Sequence, residues 1–600
     1  MSDSSFNTVV VRDSRINDVS TKIDYIVSKG AAQNNYQHIR STSAGVTNVN
    51  FAVTVPSENV LVDRNVTISA KPTFRVTIPA GVAAGDVVFK YGVTEALNQF
   101  PINSLFTNAT ATINQASFSV NTQDMLHTLI RMSDDEVLSK YNCPYMSDKG
   151  FRSYSDMSLL ESNPLGSFEH SKGSVVPRGS HPIEFSIITT RNGAAPSAPV
   201  TQNHTDAQIS TALTSAHVGD SWTIDISFKS TEPLLFLSPF LSGEGNNNSA
   251  ALYGVRNMDF VFNIDTAAKR LLCSGSTVPM HIALTAMNDC YLNLNYLSTQ
   301  ASDLLSSRNV VPFSDYSRFL TVSDQVFSAG ASHSINAHAV QLNQIPNRLY
   351  VVARKPINNQ TMKDSNAFMA IEGISVNFNN VAGILANANA HDLYKLSVAN
   401  GCKQDLLEFM GSASVGNGKT KNTTGSILVI NPARDLSLPD YLSNGSIGQY
   451  SFQANVRVRN LDGVDVTPEI LIIAEYDGFF LTEAGQSMKQ TGLLTKDLVV
   501  NSTMAQFGES SNYIESYNKS NGSNLSVSAM RNIPLLNMKK SEKSGGAFSG
   551  GAYSGGANSG GAYSGGANSG GAYSGGASSG GAYSGGARSG GCPSNLRNFV

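Results

Sequence analysis

Charge is what this 600-residue chain has least of: Asp, Glu, Lys and Arg make up 14%, against about 25% in a typical soluble domain. The 42 basic and 45 acidic residues give a net charge of -3. There is no basic excess to displace counterions, so no sequence-specific nucleic-acid binding is expected. Tryptophan occurs once. Five cysteines (Cys143, Cys273, Cys290, Cys402, Cys592) are scattered with no CxxC spacing, which argues against a zinc cluster or a dense disulfide framework and for inert buried thiols in a reducing compartment. No stretch approaches the ~18 apolar residues of a membrane span, the densest run being ILII at 470–473. Residues 1–18 hold no apolar run of the ~7–15 residues a secretory signal requires. Sequons such as those at Asn65 and Asn108 then read as chance products of an Asn/Ser/Thr-rich chain.

Recognisable catalytic chemistry is also missing. The chain has no HExxH, no glycine-flanked serine elbow and no Cys–His pair in an interpretable context. VGNGKT at 415–420 ends like a phosphate-binding loop, but the position where the motif needs its first glycine is Ala413, so it reads as a solvated loop. VPRGSH at 176–181 looks like a protease-cleavage scar, yet no tag accompanies it and it reads as native sequence. His333 and His338 are five apart, a spacing that puts two ligands on neither one strand face nor one helix face. Asp462 and Asp465 in NLDGVDVTPE lack the alternating acids and terminal glutamate of a calcium loop and read as a turn. The expectation is no catalytic, cofactor or metal residues, no cofactor and no enzyme.

What fills the gap is Ser, Thr, Asn and Gly, whose short side chains compete with helical hydrogen bonds and favour strands and turns. Period-2 alternation, the signature of half-buried strands, recurs along the body. Val49, Phe51, Val53 and Val55 share one face, as do Phe74, Val76 and Ile78, and Trp222, Ile224, Ile226 and Phe228. MDFVFNI, CYLNLNYL, RLYVVAR, ISVNFNN, YSFQANVRVRN and PEILIIAEYDGFF add further strands, separated by long polar connections. Helical pattern is sparse: 122–131, opened by an Asn121 or Thr122 cap with Asp124 in the first turn, and a short stretch near 405–410. Ile16, Val19, Ile23 and Ile26 fit a helix, while Ile23, Tyr25 and Val27 fit a strand equally well.

An internal echo suggests duplication. Pro233 precedes LLFL, read as a strand, then an Asn-rich loop, then Gly254 leading into VRNMDFVFN; Pro346 precedes RLYVV, then a loop with Asn358 and Asn359, then Gly373 leading into ISVNFNN. The strands YLNLNYLS and PEILIIAEY follow in turn. Two tandem all-β domains of roughly eight strands each are expected, as jelly-roll barrels with long loops. The expected layout is an arm and first strand at 1–40, jelly roll 1 at 41–300, jelly roll 2 at 301–490, a polar segment at 491–544 and a tail at 545–600.

Over roughly residues 20–485 the sequence resembles the double jelly-roll major capsid proteins of virophages and polinton-like viruses. The resemblance is carried by YIVSKGAAQNNYQHIRSTS, FPINSLFTNATATIN, NPLGSF, VPRGS and LLFLSPF, then by VQLNQIPNRLYVVAR and PEILIIAEYDG, in that order. It implies a homotrimer whose six barrels make a pseudo-hexagonal capsomer of an icosahedral double-stranded DNA virus shell, located in the virion. It also implies neighbouring capsomers, penton and minor capsid proteins as partners, with both terminal segments available to bind them. A tandem β-sandwich carbohydrate-binding or adhesin protein is the alternative, weakened by the single Trp and the lack of an acidic cluster.

The tail departs from that pattern. Of 51 glycines, 20 fall at 545–591, and 545–589 is nine GGAxS pentads with Tyr553, Tyr563, Tyr573 and Tyr583 ten residues apart. Such a segment buries too little to offset backbone entropy, so a disordered tether is expected. A multivalent sticker acting through avidity, and, by the resemblance, a substrate of a viral maturation protease cutting near Gly-Gly, are its other readings.

Overall fold

The computed structural model describes residues 33–492, except 81, 92–94, 134–183, 194–197, 205–211, 216–218, 241–250, 275–277, 299–308, 363, 366, 380, 415–419 and 439–441. The expectations for the segment before residue 33, for 176–181, for most of VGNGKT and for the GGAxS tail lie outside the described residues.

The first half contains β1 (Gln33–Arg40), β2 (Asn48–Thr54), β3 (Thr67–Ile78), β4 (Phe106–Ile113), β5 (Ala116–Val120), β6 (Glu184–Asn192), β7 (Val200–His204), β8 (Ser221–Pro233), β9 (Asn257–Ile264) and β10 (His281–Ser298). One sheet runs β1-β10-β3-β8-β6-β7 and the other β2-β9-β4-β5. The second half contains β11 (Asn309–Val322), β12 (Ser332–Asn336), β13 (Val340–Gln344), β14 (Arg348–Arg354), β15 (Ala370–Phe378), β16 (Val381–Ile384), β17 (Leu428–Ile430), β18 (Ile447–Arg459), β19 (Glu469–Glu483) and β20 (Gln486–Thr491). Its sheets run β11-β19-β14-β17, with β20 on β19, and β12-β18-β15-β16, with β13 also on β18.

Set aside the β6–β7 hairpin and β20, and count β12 with β13 as one strand. Both halves then have eight strands in the same order, one sheet reading first, eighth, third, sixth and the other second, seventh, fourth, fifth. That is the jelly-roll arrangement, twice. The pairings are antiparallel throughout. β1 is the edge strand of the first barrel's larger sheet, paired along its length with β10, and so belongs with that barrel.

Alternation placed the cores correctly. Val49, Phe51 and Val53 on β2, Phe74, Val76 and Ile78 on β3, and Trp222, Ile224, Ile226 and Phe228 on β8 are all buried in one cluster. Helix α1 (Pro101–Leu105) lies in the third-to-fourth strand connection, and α2 (Thr122–Leu129) follows β5. Of the two caps considered for α2, Asn121 is the one used: its side chain accepts from the Asp124 N–H at 3.0 Å. Helix α4 (Leu406–Met410) is the short one expected there.

Two expectations need correction. LLFL is no strand: β8 ends at Pro233, Phe236 has φ 60, and Leu234, Leu235 and Leu237 are buried in turns. A continuous apolar run marks burial on all sides, which a buried turn satisfies as well as a strand does. The echo therefore matched unlike elements at its first two steps, and only its last step, YLNLNYLS with PEILIIAEY, paired equivalent strands, the eighth of each barrel. VRNMDFVFN is a seventh strand and ISVNFNN a fourth, so their likeness reports shared strand chemistry and not shared position. Helix α3 (Ala390–Ala399) was missed, although Asn389 and Asp392 form a capping box and Gly401 follows its end.

Helix α1 has no cap of its own. The Glu232 carboxylate at the end of β8 accepts from the N–H groups of Ile102 (2.8 Å) and Asn103 (2.9 Å), and from the Asn103 side chain (2.8 Å). Burial pushes the Glu232 pKa up even so. Glu232→Ala would strand these buried donors, each worth about 1–3 kcal/mol. A lower denaturant midpoint with an unchanged m-value is the expected outcome.

Candidate functional site at the seam between the jelly rolls

Among the described residues no group of His, Cys, Asp and Glu is arranged to hold a metal ion. His333 rests on the Phe327 ring, with centroids 4.8 Å apart, and the His338 N–H donates to Thr321. Asp462 pairs with Lys355 at 2.7 Å, and Asp465 accepts from the Ala329 N–H. The arrangement most removed from ordinary packing is the seam where the two barrels meet.

It begins with two heptapeptides that mirror one another. RLYVVAR is β14, and EILIIAE opens β19; they pair antiparallel, with Arg348 opposite Glu475 and Arg354 opposite Glu469. Their apolar interiors do not alternate, because both faces are buried. Leu349, Val351, Ala353, Ile470, Ile472 and Ala474 point into the second barrel's core. Tyr350, Val352, Leu471 and Ile473 join the first barrel's cluster. Further along, Phe118 of β5 packs edge-on against Phe313 of β11 (5.8 Å) and Phe480 of β19 (5.6 Å).

Polar contacts close both ends of the seam. Asp124, at the third position of α2, reaches across from the first barrel. One carboxylate oxygen takes Arg318 Nη1 at 2.7 Å and the other takes Arg354 Nη2. Arg354 Nε also donates to Glu469 at 2.8 Å. Asp124, Arg354 and Glu469 are all buried. Arg131, just beyond α2, meets the buried Glu408 of α4 at 3.4 Å, and its carbonyl accepts from the Lys403 N–H. At the other end, the Ser487 hydroxyl of β20 donates to the Ile113 carbonyl and accepts from the Ala116 N–H. The Gly485 N–H donates to the Gly254 carbonyl. Gly485 has φ 78, and its missing Cβ leaves room for the Arg256 side chain.

Burial sets the electrostatics. It raises the pKa of Glu469 although Arg354 opposes the shift, and that of Glu475 although Arg348 opposes it. Burial, and then the Arg354 charge, pull Arg270 down to about 9. Glu475 also accepts from the Tyr350 hydroxyl at 2.6 Å and from Arg348 at 3.2 Å. The arrangement binds and orients one barrel against the other. Asp124 was legible only as an acid in the first turn of a helix. The matched charges bracketing RLYVVAR and EILIIAE were the signal for the rest, and alternation counting passes over it.

Asp124→Ala leaves Arg354 buried with half its partners, and a loss of about 3–5 kcal/mol is expected from chemical denaturation. For Glu475, the folded-state pKa lies above the unfolded value of about 4.3, so its contribution to stability is complete below that pH and is lost as pH rises through the folded value. Measured against Glu475→Gln, the melting temperature of the parent chain should therefore fall as pH rises from about 4 to neutrality.

Comparison with known proteins agrees with this architecture. Residues 4–306 match the Sputnik virophage major capsid protein 1st domain, and residues 316–478 match the major capsid protein V20 C-terminal domain. Capsid protein V20 of Sputnik virophage is 25% identical over 529 residues, covering 82% of this chain and 81% of the relative. In the cryo-EM structure of Sputnik virophage, a chain 24% identical superposes with a TM-score of 0.65, covering 84% of this chain and 97% of that one. The mavirus major capsid protein crystal structure is 14% identical with a TM-score of 0.60, covering 83% and 97%. The chain belongs to the Sputnik virophage major capsid protein family, and it is a double jelly-roll structural protein of the virion capsid.

Proposed function

We propose that three copies of this chain form a pseudo-hexagonal capsomer that tiles an icosahedral double-stranded DNA virus shell and carries no enzymatic activity. The observation that carries this reading is the seam. Two barrels of identical topology sit side by side through unlike surfaces: the fifth strand and following helix of one against the larger sheet of the next. A heterologous contact of that kind, repeated, closes into a ring when its rotation divides a full turn and otherwise runs on as a filament; with a rotation near one sixth of a turn, three chains supply the six barrels of a closed ring. Neighbouring capsomers, penton and minor capsid proteins are the partners in this reading, with a maturation protease acting on the GGAxS tail. We divide the chain into jelly roll 1 to about residue 300, counting β1 within it, jelly roll 2 at 301–490, a polar segment at 491–544 and the tail at 545–600.

Light scattering of the purified chain should give three times the monomer mass, and negative-stain images should show particles with six lobes. A stable monomer at high concentration would rule the capsomer out. Mass spectrometry of protein from mature particles tests the protease: processing predicts loss of Val600, and an intact C-terminus removes it.

A further inference from the structure

The true internal repeat lies elsewhere than in the echo, and it indicates which surfaces join separate chains. In the first barrel β4 turns at Asn114 (φ 52) into β5, and Asn121 caps α2 with Asp124 at its third position. In the second barrel β15 turns at Asn379 (φ 52) into β16, and Asn389 caps α3 with Asp392 at its third position. The Asn114 and Asn379 N–H groups both donate to a carbonyl on the seventh strand, that of Asn257 in one barrel and Ser451 in the other. Met125 of α2 and Leu393 of α3, one residue after those aspartates, are each buried in their own barrel's core. The two helices are equivalent by position, cap and inward face.

Their outward faces differ. That of α2 is covered by the second barrel, through Arg318 and Arg354 on Asp124. On α3, His391, Asp392 and Lys395 are exposed, and so is Val398. The surface of the first barrel equivalent to the sheet that covers α2 is the outer face of β1-β10-β3-β8. There Lys71, Thr73 and Arg75 on β3 alternate with the buried Phe74 and Val76, beside Asp225 and Lys229 on β8. Lys71 and Lys229 pair with Glu184 of the adjoining β6 and Arg75 with Asp225, all partly exposed, so these five side chains number three cations against two anions. A face that stays in water until subunits meet has the polarity of the rest of the protein surface, whereas its counterpart in the second barrel is covered within the chain and is apolar.

We infer that α3 of one chain docks on the outer β1-β10-β3-β8 face of a second copy, repeating between chains the contact made within each, with Asp392 facing the row that holds Arg75. This rests on the trimer reading above and specifies its interface. The test uses the full chain, with sedimentation velocity on the parent, Arg75→Glu, Asp392→Arg and the double variant. Each single reversal should weaken trimer association at least tenfold, and the double variant should recover it, which a merely misfolded single variant would not allow. Single variants that stay trimeric, or a double variant as dissociated as the singles, would overturn the interface while leaving the trimer standing. A parent chain that is itself monomeric would remove the trimer and the interface together.

Discussion

Two adjacent strands buried on both faces hold the described part of this protein together. β14 and the first half of β19 give one set of side chains to the second barrel's core and the alternate set to the first barrel's cluster. Removing the first barrel would expose Tyr350, Val352, Leu471 and Ile473 as one apolar patch, the kind of surface that soluble monomers rarely leave open. The barrels therefore behave as parts of one folding unit, although each has its own strand order and its own core.

The charges are few, and their placement follows from those strands. An antiparallel pair that slips by one residue sends every side chain to the wrong face, and a sheet apolar on both faces has no alternation to forbid the slip. The arginines at both ends of RLYVVAR and the glutamates at both ends of EILIIAE supply the missing register, since any slip would bury them unpaired. Asp124 then extends one of those pairs across the seam and ties the orientation of the first barrel to the register of the second. The buried carboxylates are held at an energetic disadvantage in return, which is why acidification favours the fold at Glu475 and Glu469.

Much of this was legible in the sequence. Alternation located the strands of the first core and β15 and β18 of the second, since a residue two positions along a strand faces the same way whatever the strand packs against, while β14 and β19 were legible as continuous apolar runs. Asn121 and Asp124 announced α2, and Asn389 with Asp392 announced α3 just as clearly once capping chemistry is sought in place of apolar period. The LLFL error and the false echo share one cause. Apolar content reports burial, and burial alone distinguishes neither a turn from a strand nor a seventh strand from a fourth.

The sequence by itself determined that the chain is all-β, where most strands lie, and which family it resembles, because each of these rests on motifs local in the chain; the duplication it suggested was confirmed only by the matching strand orders of the two halves. Only the tertiary structure decided which strands are neighbours and what α2 faces. Asp124 and Arg354 are 230 residues apart, and no local pattern records that they meet. Their pairing depends on the second barrel turning its larger sheet toward the helix of the first, a long-range choice made by the apolar faces that the sheet must cover.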